Sequence, residues 1–355
     1  MIIKSVTTRE ISVPLVRPFK TALRTVTSAE SVIVRIETDD GLVGLGEATP
    51  TAVITGDTKG SILCAINDFL APTIVGRDLF EFDGVLRDMN KAIYRNTSAK
   101  AAVDMALYDI YSQALGLPLY KLLGGAKKTI ETDMTISLND TKTMVADSLA
   151  AVGDGYRILK IKVGKGGAGD ADAVREIRRA VGADIVLRVD ANQGWSVRDA
   201  IRAIGAMEDA GLDIELVEQP VAARDLAGLK AVTASVRTDI LADEAVFTPE
   251  DAVTIIRERA ADLINIKLMK TGGIYNALRI CAIAESFDVK CMMGCMLETK
   301  LAVSAAAHLA CGRGIITMAD LDGPGMATFD PYTGGPVFNG ADIFMPEANG
   351  IGISL

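Results

Sequence analysis

Histidine and tryptophan are almost absent: one of each occurs in 355 residues, and aromatic side chains make up only 5% of the chain. With a single histidine, acid–base chemistry is expected to be carried by other groups. The single histidine, His308, lies in the apolar run AVSAAAHLACG, where a packed residue is expected and a catalytic one is not. Positive charge is also short, with 37 Lys and Arg against 46 Asp and Glu and a formal net charge of -9. Such a field repels nucleic acid and anionic membrane surfaces, which leaves a small molecule as the expected partner. Five cysteines, an odd number without paired zinc-like spacing, read as reduced thiols and point to the cytoplasm. No run approaches the roughly 18 apolar residues of a membrane span, and MIIKSVTTREISV alternates like a strand instead of a secretion signal.

What the chain does contain is hydrophobic bulk, 49% of its residues, enough for a barrel and a second, smaller domain. Residues 2–13, 31–38 and 42–48 alternate in polarity and predict a three-stranded meander with a loop between the first two strands. Helical patterns cover 59–70, 81–92 and 99–115. An α+β capping domain is therefore expected over residues 1–125. From 126 to 323 short apolar runs alternate with amphipathic helices: 132–137, 158–163, 185–190, 216–218, 240–243, 263–267, 289–293 and 316–320. Eight such runs predict an α/β fold, a TIM-like (β/α)7β barrel. Residues 324–355 read as a loop-rich segment packing back on the cap, with Phe329, Tyr332, Phe338 and Phe344 requiring burial.

In a barrel of this kind the polar residues that close the strands face the active site. Asp190, Glu218 and Asp243 close three consecutive runs, LRVD, LVE and ILAD, and so could hold a divalent ion such as Mg²⁺ by hard oxygens. The competing reading, acids that cap the next helices, is even with this one for a single carboxylate and worse for three in succession. Asn192 and Glu244 follow two of the acids and are expected to orient them. In LKIKVG, Lys160 and Lys162 are two apart and share the barrel interior, while Lys267 closes the run LINIK. Strands two and six of an eight-stranded barrel face each other, so Lys162 and Lys267 would reach one carbon from opposite sides. Two such amines suit inversion of a carbon next to a carboxylate: one takes a proton and the other returns one. Lys160 and the metal would stabilise the enediolate between the two transfers, and nearby cations would lower the acting lysine's pKa. Lys270 reads as a strand-end lysine that snorkels to solvent. GKGGAG at residues 164–169 reads as a flexible βα loop, without the spacing of a dinucleotide site.

The set LKIKVG, LRVDANQGW, ELVEQP, LADEAVFTPED and ADLINIKLMKTGG resembles the muconate-lactonizing subgroup of the enolase superfamily over essentially the whole chain. RPFKTALRTV at 17–26, ITGD at 54–57 and SAKAAVDMALYD at 98–109 extend the likeness to its L-Ala-D/L-Glu dipeptide epimerases. The resemblance implies one Mg²⁺ ion per subunit on Asp190, Glu218 and Asp243. It makes Lys162 the base for the D (R) isomer and Lys267 the base for the L (S) isomer. Asp320 and Asp322 of MADLDGP would bind a dipeptide's α-ammonium, and Arg24 its distal carboxylate. Thr135 would hydrogen-bond the substrate carboxylate, and Cys295 and Leu297 would line the pocket. A homo-oligomer and a place in cell-wall peptide metabolism are implied by the likeness and its substrate. The alternatives on the same scaffold are o-succinylbenzoate synthase or another lyase, opposed by Asp320, Asp322 and Arg24, and an epimerase for hydrophobic or cationic dipeptides. A binding barrel without chemistry is opposed by the intact lysines and acids.

Overall fold

The computed structural model describes every residue except Ala126, Lys165 and Gly167, so parts of the 164–169 loop and the first residue of the expected barrel domain lie outside the described residues. The chain opens with an antiparallel meander of β1 (Ile3–Lys20), β2 (Thr25–Thr38) and β3 (Val43–Ala48). No open loop separates β1 from β2, contrary to the sequence reading. After an irregularity beyond Pro14 the two strands pair again at Phe19↔Val26 and Lys20↔Thr25, so Arg24 sits at the tip of a hairpin. The tip is tied by Thr21 N to Arg24 O at 3.0 Å and Arg24 N to Thr21 Oγ1 at 3.3 Å. The expected helix at 59–70 continues to Ile74 through a π-helical stretch, Ala65–Leu70.

The helix Thr97–Ala114 lies directly on β3. A Cβ on Gly44 or Gly46 would stand 2.1 Å from Ala106 O or 1.9 Å from Ala102 O, so only glycine admits this approach. Buried acids of this first unit also cap barrel helices. Asp104 accepts from Ile274 N at 2.5 Å and Tyr275 N at 3.2 Å. Glu47 accepts from Thr299 N, Thr299 Oγ1 and Ala302 N within 2.9 Å. Each carboxylate satisfies N–H groups that a helix start leaves unpaired, and so holds the cap over the barrel.

After β4 (Thr129–Glu131), eight parallel strands follow in chain order: β5 (Met134–Ile136), β6 (Ile158–Lys162), β7 (Val186–Asp190), β8 (Ile214–Glu218), β9 (Asp239–Ala242), β10 (Leu263–Lys267), β11 (Cys291–Gly294) and β12 (Ile316–Asp320). Helices connect each to the next, and the sequence ends the barrel on a strand. β5 and β12 meet through Asp133 N to Ala319 O at 3.4 Å and Leu321 N to Thr132 Oγ1 at 2.7 Å. The register aligns the strand ends: Lys162 beside Asp190, Asp190 beside Glu218, and Lys267 beside Gly294 beside Asp320. A Cβ on Gly294 would come within 2.9 Å of Lys267 Cε, so this glycine makes room for the lysine.

The last residues pair Asp342–Phe344 with β4 and reach the cap through Leu15↔Ala327 and Ile351 N to Asp109 Oδ1 at 2.8 Å. Tyr332 is buried there, but Phe329 and Phe344 are 53% and 43% exposed, against the expectation of burial. His308 is fully buried; its Nδ1 accepts from Tyr120 N at 2.9 Å and its Nε2 lies 3.1 Å from Ile351 O. Among the described residues no helix is long and apolar enough to cross a membrane.

Candidate active site

A pocket opens where the C-terminal ends of the barrel strands meet the β1–β2 hairpin. The side chains that point inward follow the two-residue period of a strand, which aims 160 and 162, 188 and 190, and 265 and 267 into the interior in layers. Arg24, Thr135, Lys162, Asn192, Lys267, Cys295, Leu297, Asp320 and Asp322 all line this pocket. Lys160, Asp190, Glu218, Asp243 and Glu244 are buried below it.

The floor is a lattice of opposite charges. Lys160 Nζ stands 2.6 Å from Glu218, 2.6 Å from Asp320 and 3.2 Å from Asp190. Lys162 rests on Asp190 at 2.6 Å, and Lys267 on Asp243 at 2.6 Å with Glu218 at 3.8 Å. Asp190 is also held by Asn192, whose N donates to Oδ1 at 2.8 Å and whose Nδ2 lies 3.3 Å from Oδ2. Glu244 does not orient Asp243 as expected. Among the described residues neither of its carboxylate oxygens has a hydrogen-bond partner, and burial followed by the charge of Asp243 pushes its pKa up to about 8.

The acids outnumber the cations that reach them. Burial and then Asp190 raise Glu218 to about 7, although Lys160 opposes the shift. Burial would also raise Asp190 and Asp243, but the lysines outweigh it and hold both below the ordinary carboxylate range. Glu218 Oε2 and Asp243 Oδ1 have ammonium groups at 2.6 Å yet no hydrogen bond of proper geometry. Hard, anionic oxygens from three adjacent strands, those of Glu218 and Asp243 incompletely bonded, are a donor set that fits a divalent cation. The same charges correct the expectation for the lysines. Burial lowers Lys160 and Lys267, but the surrounding acids, led by Asp320 on the first and Asp243 on the second, together outweigh it, and both pKa values are raised.

A second acidic group lies on the β5 and β12 side, where Asp133, Asp320 and Asp322 can bring one oxygen each within 4.8 Å of one another. Arg188 donates to Asp133 Oδ2 at 2.8 Å, Lys160 to Asp320, and Thr135 N to Asp322 Oδ2 at 2.7 Å. Burial and then Asp320 raise Asp322 to about 6. Arg24, half-buried, makes no ion pair among the described residues, and burial lowers its pKa.

Sequence reasoning missed Asp133, Arg188, Asn265 and the true place of Lys270. Arg188 and Asn265 each stand two residues before a named residue, so the strand period carried the signal. Asn265 Nδ2 donates to Glu218 Oε1 at 2.8 Å. Lys270 does not snorkel: it is 0% exposed, with its ammonium 2.6 Å from Asp243 Oδ1. A short helix, Leu268–Thr271, turns it inward immediately after β10.

The family model for the mandelate racemase / muconate lactonizing enzyme N-terminal domain matches residues 3–124, and one for an enolase C-terminal domain-like unit matches 143–355. An L-Ala-D/L-Glu epimerase of Clostridium acetobutylicum is 52% identical over 353 residues, 99% of each chain. The solved substrate-liganded L-Ala-D/L-Glu epimerase from Bacillus subtilis superposes with a TM-score of 0.98 at 52% identity, covering 99% of both chains. A dipeptide epimerase from Enterococcus faecalis, complexed with Mg and L-Leu-L-Tyr, gives 0.97 at 44% identity over 100% of both.

Proposed function

Since the chain belongs to the mandelate racemase / muconate lactonizing enzyme family of the enolase superfamily, we propose that it is a Mg²⁺-dependent dipeptide epimerase. It inverts the α-carbon of a dipeptide's C-terminal residue, with L-Ala-D/L-Glu as the substrate pair and a place in cell-wall peptide metabolism. The observation that carries this reading is the convergence of Lys162, Lys267, Asp320, Asp322 and Arg24 on one pocket.

Lys162 and Lys267 sit on strands four apart in an eight-stranded sheet, and so approach a bound α-carbon from opposite faces. One amine removes the α-proton while the opposite ammonium supplies a proton to the other face, and reversal of these roles serves the other isomer. Asp190, Glu218 and Asp243 would hold the ion. Mg²⁺ there would draw electron density from the substrate carboxylate and neutralise the charge that holds the proton on Lys267. Lys160 adds fixed positive charge beneath the reacting centre.

Asp133, Asp320 and Asp322 crowd together, and the two cations that reach them, Lys160 and Arg188, are shared with Glu218 and Glu215, so the group is rich in negative charge. That charge matches the α-ammonium of a dipeptide, which muconate and succinylbenzoate lack. Among the described residues Arg24 reaches the pocket without a carboxylate partner of its own, which favours an acidic C-terminal residue.

The test is incubation with Mg²⁺ and L-Ala-L-Glu in deuterated water, followed by NMR and chiral separation. The α-proton of Glu should exchange and L-Ala-D-Glu accumulate. Exchange confined to apolar or cationic dipeptides would remove the substrate while keeping the chemistry; no exchange with any dipeptide would remove both.

A further inference from the structure

The two amines of the pocket are anchored by different machinery. On the Lys162 side, Asp190 is steadied by Asn192 from its own chain segment. On the Lys267 side, Asp243 is gripped at both oxygens: Oδ2 by Lys267 and Oδ1 by Lys270, each at 2.6 Å. Lys270 also donates to the main-chain oxygens of Asp243 and, at 2.9 Å, of Asn265. One buried ammonium thus ties the end of β9 to the end of β10, the two strands that present Asp243 and Lys267. Burying a lysine is costly unless its charge and its donors are used. Here they are used on the carboxylate that holds a reacting amine.

We infer that Lys270 is a positioning residue that fixes the carboxylate of Asp243, and through its free oxygen the amine of Lys267, leaving Lys162 outside its control. This rests on the roles proposed above for Lys162, Lys267 and the metal-binding acids. With the Lys270 ammonium beside Oδ1, Oδ2 of Asp243 is left to Lys267, whose other near acid, Glu218, stands farther off at 3.8 Å. An apolar side chain at 270 would take the ammonium away from Asp243 Oδ1, freeing the carboxylate to rotate, and leave two main-chain oxygens without a donor. The harm should therefore be lopsided, falling on the face served by Lys267.

The experiment compares wild type with Lys270→Met and Lys270→Gln, after circular dichroism has checked folding; if the Met variant fails to fold, the Gln variant decides. Two quantities are read: Mg²⁺ affinity by calorimetry, and the ratio of α-proton exchange rates for L-Ala-L-Glu and L-Ala-D-Glu. Mg²⁺ affinity should weaken by about tenfold or more, as for other residues that orient a ligand. Exchange of the L,L isomer, on which Lys267 acts, should slow by about tenfold more than that of the L,D isomer. If either quantity stays at its wild-type value, or the ratio moves the other way, the inference is overturned. Absence of exchange from both isomers in wild type would instead overturn the reading on which it rests.

Discussion

Replacing Arg24 with alanine isolates the choice of substrate from the chemistry. Its guanidinium lines the pocket, is half-buried and makes no ion pair among the described residues. The free enzyme should therefore lose little stability, below about 0.5 kcal/mol by chemical denaturation. The hairpin tip should persist, since it is held by the main chain of Arg24 and by Thr21. With L-Ala-L-Glu bound, a carboxylate meets the guanidinium in a partly dry site, and a charged hydrogen bond there is worth about 1.5–3 kcal/mol. That corresponds to about a 10- to 150-fold loss in kcat/KM for the acidic dipeptide. L-Ala-L-Leu, which offers no charge to Arg24, should lose less than about threefold. Steady-state rates for the two substrates decide it. An equal loss on both would refute the role given to Arg24, and with it the preference for glutamate.

Lowering the pH should weaken substrate binding through Asp322. Its pKa of about 6 means that it protonates below that value and loses the charge that faces the α-ammonium. KM should be flat above pH 6 and rise as pH falls through it, by up to about tenfold per unit; a flat KM from pH 7 to 5 would contradict this. Lys162→Ala and Lys267→Ala should each reduce epimerisation by about 10²- to 10⁴-fold. The Lys162 variant should still exchange the L,L isomer and the Lys267 variant the L,D isomer, as read by NMR in deuterated water. Chelation of the divalent ion should stop exchange for both isomers, with recovery on adding Mg²⁺. His308 is held neutral by burial, with a pKa of about 4 against 6.5 when free. Its contribution is present above pH 6.5 and is lost as pH falls toward 4, an effect of up to about 3 kcal/mol in denaturation curves. Replacing it should lower stability and leave kcat nearly unchanged.

The barrel was legible because each strand is a short apolar run closed by a polar residue, and the period of two assigns every side chain a face. Lys162, Asp190, Glu218 and Lys267 stand at the ends of β6, β7, β8 and β10, within the expected runs. The β1–β2 hairpin was not legible. Pro14 and Pro18 interrupt the alternation, yet the strands resume pairing beyond them and carry Arg24 to a fixed tip. Lys270 was misread for a related reason. Local pattern places it one turn beyond a strand, where solvent is usual, whereas tertiary contacts with β9 turn it into the interior.

The deepest part of the site was hidden because it follows from charge balance, which no single motif expresses. Asp190, Glu218 and Asp243 are individually ordinary strand-end acids. Together with Glu244 and Asp320, in a buried floor, they make five acids against four lysines, Lys160, Lys162, Lys267 and Lys270, and burial followed by the charge of Asp190 raises Glu218 to about 7. Asp133, Asp320 and Asp322 crowd the opposite wall, where the cations in contact, Arg188 and Lys160, are each shared with a further acid, Glu215 or Glu218. A divalent cation and a substrate ammonium are the two positive charges that such an arrangement lacks. Lys160 touches both clusters, through Glu218 and Asp320. Replacing it with methionine should therefore alter Mg²⁺ affinity and dipeptide KM together, whereas Asp322→Asn should move KM alone. Calorimetry of the ion beside steady-state kinetics would separate the cases, and a change in KM without one in Mg²⁺ affinity for Lys160→Met would break the proposed link.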